Sequence, residues 1–151
     1  MTTTNDKSIA TILHLSTLTQ YIIPFGNYIF PIIIWSTKKE QSNFIDDNGK
    51  KVLNFQLSLF LYSVLLGLIA IPALIYTFFN TVSSDVFFGH HDFTFENFNF
   101  QNLGGFGILG IIAVFLFAVL KVIEFILIIL AAVKASNGES YKYPLSIPFF
   151  K

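Results

Sequence analysis

Residues 106–133 read FGILGIIAVFLFAVLKVIEFILIILAAV, an apolar run interrupted only by Lys121 and Glu124. A membrane-crossing helix needs roughly 20 apolar residues rising about 1.5 Å each, so this run has the length to span a bilayer. Residues 52–79, VLNFQLSLFLYSVLLGLIAIPALIYTFF, meet the same requirement. Both runs exceed the minimum and must tilt, kink or extend past the hydrocarbon. Pro72 predicts a kink late in the earlier one. A third apolar stretch, residues 9–35, reads IATILHLSTLTQYIIPFGNYIFPIIIW. It is too long for a signal-peptide core and has no small-residue cleavage site.

That stretch is punctuated at Pro24-Phe25-Gly26-Asn27. Pro24 has no N–H for the helical ladder, Gly26 tolerates positive φ, and Asn27 can cap a following helix. The spacing predicts two short helices, 8–23 and 27–37, with Pro31 near the start of the second. They form either one kinked crossing or a re-entrant hairpin. The fold class is therefore an all-α integral membrane protein. The expected bundle has three to four transmembrane helices, the first broken at Pro24–Asn27.

Composition agrees. Of 151 residues, 54% are apolar and 12% charged, against about 25% charged in an average soluble domain. With no cysteine, disulfide and thiol chemistry are excluded. The nine basic residues are all lysine and the formal net charge is zero. This disfavours bidentate phosphate recognition and nucleic-acid binding. Abundant Lys, Phe, Ile and Asn suggest an AT-rich bacterial gene. Lys38, Lys39, Lys50 and Lys51 fall in the connection 38–51, and Lys134, Lys142 and Lys151 at or after the end of the third run. The connection 80–105 has none. The positive-inside rule then makes 38–51 and the tail 135–151 cytoplasmic and 80–105 extracytoplasmic, in a bacterial inner membrane. The N-terminus is outside if residues 8–37 cross once and inside if they fold back.

The candidate site residues are polar groups in apolar surroundings. Lys121 and Glu124 share a helix face and can pair. Each alone at mid-bilayer costs about 2.5–3.5 kcal/mol on insertion scales. They read either as an ion path or partner contact, or as a structural pair in the bundle interior with a snorkelling lysine. His14, with Ser16, Thr17, Thr19 and Gln20, is placed to bond between helices or to line a groove at the break. In FIDDNGKKVLNFQLS, Phe44 and Ile45 are expected at the membrane interface, and Asp46, Asp47 and Asn48 offer N-cap oxygens. Asn54 and Gln56 are placed to bond another helix. DDNG lacks the alternating ligands and closing Glu of a calcium loop. In the outer connection, His90, His91 and Asp92 are too closely adjacent to make a convincing metal site. Phe93, Phe95, Phe98 and Phe100 suggest an aromatic surface for docking a partner. No phosphate-binding loop, dinucleotide fingerprint, zinc-hydrolase motif or nucleophile elbow occurs, so the expectation is no catalysis, no cofactor and no metal.

Three stretches in order, HLSTLTQYIIPFGNYIFPIIIW, LNFQLSL and AAVKASNGESYKYPLSI, resemble a family of small bacterial membrane proteins of unknown function. That family is grouped with proteins similar to the twenty-kilodalton subunit of the chloroplast inner-envelope translocon (Tic). The positions carrying the resemblance are His14, Pro24, Gly26, Asn27, Pro31, Trp35, Asn54, Gln56, Asn137, Gly138, Tyr143 and Pro144. The resemblance implies a compact multi-helix membrane domain and not an activity; the chloroplast relative takes part in protein import. Lys121, Glu124 and the long aromatic connection are not part of its pattern.

Two functions compete. One is a non-enzymatic accessory or assembly subunit of a larger membrane complex, whose partners are lipid and other membrane proteins or itself. The alternative is a small oligomeric channel or transporter, for ions or protein, lined by the broken helix and the Lys121–Glu124 pair.

Overall fold

The computed structural model describes residues 2–81 and 104–150, and all its regular elements are helical. Helix α1 (Thr4–Ser16) continues into a 3-10 turn (Thr17–Tyr21), and after a break α2 follows (Gly26–Lys38). A short 3-10 turn (Lys39–Gln41) leads to α3 (Asn43–Thr81), and α4 is Gly104–Asn137. Among the described residues two helices, α3 and α4, are long and apolar enough to cross a membrane, and with the shorter α1 and α2 they make up the all-helical membrane bundle expected. Only 22% of the most apolar window of each is buried, which is unlike the core helix of a soluble protein.

The chain forms two compact units, one of Met1–Leu61 with Leu120–Lys151 and one of Tyr62–Val119. In the second, the later part of α3 packs on the earlier part of α4. Gly110 lies so close to Leu74 that a Cβ there would stand 3.0 Å from its Cδ2. The Tyr76 and Phe106 rings meet at 5.3 Å. Pro72 lies inside α3, where it removes one ladder hydrogen bond.

The first unit holds all the buried polar chemistry discussed below. Helix α1 begins at Thr4 rather than Ser8 because Thr3 and Asp6 cap it reciprocally. The Thr3 hydroxyl accepts from the Asp6 N–H (3.1 Å), and the Asp6 carboxylate accepts from the Thr3 N–H (2.9 Å). The break then turns the chain back on itself. Positive φ falls on Phe25 (63°), not Gly26, and the Phe25 carbonyl accepts from both Tyr28 and Ile29 N–H. Gly26 serves the turn through its size, since a Cβ there would stand 2.5 Å from Thr19 Oγ1. Asn27 does not cap α2, because its side chain is bonded to Gln56 instead. Pro31 lies inside α2 and is fully buried.

α1 and α2 thus make a hairpin whose open end meets the ends of the long helices. Lys7 sits over Gly138 at the close of α4, with its Cε 2.7 Å from where a Cβ would be. Trp35 Nε1 donates to Asp46 at the start of α3 (2.9 Å). At the other end, the hairpin reaches Gln56 and Glu124. These lie about 20 Å along α3 and α4 from those shared ends, at about 1.5 Å per residue. That depth is too shallow to cross a hydrocarbon core of about 30 Å. The structure therefore has the folded-back form of residues 8–37.

α3 starts at Asn43 rather than Val52. Ser42 Oγ accepts from Phe44 N–H (3.2 Å), and the ion pairs Asp46–Lys50 (2.7 Å) and Asp47–Lys51 (2.8 Å) brace its first turns. Asp46, Asp47 and Asn48 are therefore helical residues and not N-caps. Ile45, expected at the interface, is fully buried with Leu13 and Val52 in a small core flanked by Ile9, Ile34 and Trp35. Burying each such side chain stabilises by roughly 2 kcal/mol relative to water. α4 ends in a Schellman turn. Glu139 N–H bonds Lys134 O (2.9 Å) and Gly138 N–H bonds Ala135 O (3.0 Å), with Gly138 at φ 85°.

Candidate functional site

A helical hairpin inserted among other helices must bond every polar side chain it brings with it. At the tip, Gln20 on the 3-10 turn meets α4. Its Nε2 donates to Glu124 Oε1 (2.9 Å), while Lys121 Nζ donates to Glu124 Oε2 (2.8 Å). Lys121 also approaches Gln20 Oε1 at 3.5 Å, closing a triangle of ammonium, carboxylate and amide. Glu124 is completely buried, and 35% of the Lys121 side chain remains accessible. Each carboxylate oxygen is engaged, so the negative charge is held on a fixed pair of donors.

Nearby on the same hairpin, Asn27 Nδ2 donates to Gln56 Oε1 (2.8 Å), and the Tyr28 hydroxyl donates to the Gln56 backbone carbonyl (3.2 Å). Gln56 Nε2 is buried without a partner among the described residues. This pair carries the bond expected between Gln56 and another helix.

His14 lies away from the break and belongs to a second network. Asn48 Nδ2 donates to Phe44 O (2.8 Å), which leaves Asn48 Oδ1 as an acceptor 3.0 Å from His14 Nε2. Nε2 therefore carries the ring proton, and Nδ1 accepts from the Tyr143 hydroxyl (2.8 Å). The ring is neutral and fully buried on α1, outside the two long helices. Burial pulls its pKa down to about 4, the Asn48 bond opposing and the Lys51 charge assisting. Burial likewise raises the Tyr143 hydroxyl. Tyr143 stacks flat on Phe55, centroids 4.0 Å apart.

Ser16, Thr17 and Thr19, expected to bond between helices, instead bond back to Leu13, His14 and Ser16 carbonyls at 2.6–2.8 Å. Gln20 does cross to another helix, as does His14. Asn54 bonds the C-terminal tail at Phe149 and Phe150 rather than a helix. Phe93, Phe95, Phe98 and Phe100, with His90, His91 and Asp92, lie outside the described residues. Among the described residues no group of three or more His, Asp or Glu side chains converges on a metal position.

Sequence reasoning missed Asn48 and Tyr143 as the partners of His14, and Gln20 as the third member of the Lys121–Glu124 cluster. The available signal was the rule that buried polar groups are bonded. It demands partners for His14 and Glu124 without saying which.

No curated protein and no solved structure matches the chain. A family model does, over residues 5–150, described as the magnetosome magnetite crystal formation protein family. The match supports a small bacterial membrane family and carries no link to the chloroplast translocon. Covering nearly the whole length, it shows that the chain belongs to the magnetosome magnetite crystal formation protein family.

Proposed function

We propose that the protein is a non-enzymatic accessory or assembly subunit of a larger membrane complex. The observation that carries this reading is the closure of the Gln20–Lys121–Glu124 cluster. Both Glu124 oxygens are bonded within the chain, which supports a clamp between hairpin and α4 rather than a moving charge. What the described parts of the two long helices then offer to their surroundings is largely apolar. Leu68 and Phe115, for example, are 67% and 66% exposed, and such surface in a bilayer is satisfied by lipid or by other helices. The family description supplies the setting that we propose for such a complex, a membrane on which a magnetite crystal forms. The positive-inside pattern supports placing the lysine-bearing ends in the cytoplasm of a multi-pass inner-membrane protein.

One observation favours the competing reading of an oligomeric conductor, the exposed third of Lys121. Replacing Lys121→Leu together with Glu124→Leu separates the two. An accessory subunit keeps its complex in the double variant, and ion flux in reconstituted vesicles stays at the wild-type background. A conductor keeps its assembly and loses a flux that the wild type shows.

A further inference from the structure

The chain beyond α4 does not run away from the helices. Ser140 Oγ bonds Asp47 near the start of α3, and Tyr143 packs on Phe55 one face further along. Leu145 turns the backbone with φ 65°. Ile147 N–H then donates to Ser58 Oγ (2.8 Å), four residues further along α3 than Asn54. The chain returns past Asn54 and ends with the Phe150 ring 5.8 Å from Trp35, whose indole is tied to Asp46. It is a shallow loop that goes down α3 and comes back.

The bonding of that loop is one-sided. Asn54 Oδ1 accepts from Phe149 N–H (3.0 Å) and Phe150 N–H (2.7 Å), and its Nδ2 donates to Phe150 O (2.9 Å). Pro148 has no N–H, so from Ile147 to Phe150 every backbone donor is bonded or absent. The Ser58 hydroxyl that receives Ile147 donates in turn to Asn54 O (2.6 Å). These helix side chains grip the main chain, and beyond the buried Tyr143 the tail's large apolar side chains face outward. Leu145, Phe149 and Phe150 are 58%, 49% and 40% exposed.

Asn54 and Ser58 are themselves buried and are satisfied by these bonds, which at the same time leave no bare N–H from Ile147 to Phe150. In hydrocarbon each unbonded peptide group costs several kcal/mol, and irregular backbone persists only where protein satisfies it. Two further features select lipid as what covers the outward face. Just past Ser58 on the same helix, Phe60 and Leu61 are exposed and apolar as well, at 52% and 41%. Lys51, which donates to Ser140 (2.6 Å), and Lys142, next to Tyr143 in the chain, stand at the mouth of the loop, where lipid phosphates would lie. Ser58 is about 10 Å beyond Lys51 along the helix, the depth of the headgroup–acyl boundary. We propose that residues 143–150 are a lipid-inserted re-entrant segment, held by Asn54 and Ser58, with Leu145, Ile147, Phe149 and Phe150 in the acyl region. This keeps the tail on the side of the membrane where it was expected and does not depend on the accessory-subunit reading.

The absence of native cysteine makes the test direct. Single variants Ile147→Cys, Phe149→Cys, Lys142→Cys and Leu68→Cys are reconstituted in vesicles of phosphatidylcholine with phosphatidylglycerol. Labelling by a membrane-impermeant maleimide is followed with reagent on both faces. Labels attached beforehand in detergent are then tested for quenching by nitroxide-bearing lipid. Positions 147 and 149 are expected to react roughly tenfold or more slowly than position 142, and to be quenched as position 68 is. Adding Asn54→Ala to Phe149→Cys restores fast labelling. Fast labelling at 147 and 149, with position 68 still quenched, overturns the proposal while leaving the membrane fold intact. Slow labelling without lipid quenching, with disulfides forming between copies, overturns it in favour of a protein partner. No effect of Asn54→Ala overturns the role given to Asn54.

Discussion

The charge on Glu124 is stable where it is because two donors face it. Removing one member of such a pair leaves the other buried and uncompensated, whereas removing both to apolar residues is often neutral. Glu124→Leu alone is therefore expected to destabilise by up to about 3 kcal/mol, and Lys121→Leu with Glu124→Leu by much less. Thermal unfolding in detergent micelles checks the order, and a double variant worse than the single contradicts it. His14 gives a second prediction at this scale. Its folded pKa is depressed from 6.5 to about 4, so the unfolded chain binds a proton first as pH falls. Its contribution is complete above about pH 6.5 and is lost on descending through about pH 4. Unfolding midpoints should fall across that window, and His14→Gln should flatten this part of the profile. That Lys121 and Glu124 pair was legible in their three-residue spacing. The links of Gln20 to Glu124 and of His14 to Tyr143 were not, because they join residues more than a hundred positions apart in the chain.

The two long helices were legible as apolar runs, and the break as Pro24-Phe25-Gly26-Asn27. Their boundaries were less so. α3 extends back to Asn43 because two i,i+4 ion pairs and a serine cap make a polar stretch helical, and hydropathy does not register that signal. The break lies at residues 22–25, overlapping the stretch Pro24–Asn27 read from the sequence, and its mechanics differ from those expected. Left-handed backbone falls on Phe25, and Gly26 is selected by the closeness of Thr19. A similar close approach ties α2 to α3, where Trp35 lies on Gly49 and a Cβ at 49 would overlap the indole ring. Gly49→Ala is accordingly expected to cost about 1–3 kcal/mol through overpacking. Trp35 is the only tryptophan, so its emission should shift to longer wavelength as the ring is pushed outward. Unchanged emission would contradict this packing.

On the scale of the whole molecule, the unit that holds the ends of the two long helices closes its polar groups on one another, and the long helices expose many large apolar side chains among the described residues. The family match places this protein among membrane proteins named for magnetite crystal formation. The proposal made from the closed cluster is that its work is assembly. A sequence cannot display a partner, and polar residues spent on internal bonds leave few marks of one, which is why the role was less legible than the fold. The most direct test is the mass and composition of the assembly that contains this protein, extracted from native membranes in mild detergent. A defined complex with other membrane proteins, retained in the Lys121→Leu and Glu124→Leu double variant, is the predicted result. A monomer, or a homo-oligomer whose ion flux vanishes in that variant, would contradict it.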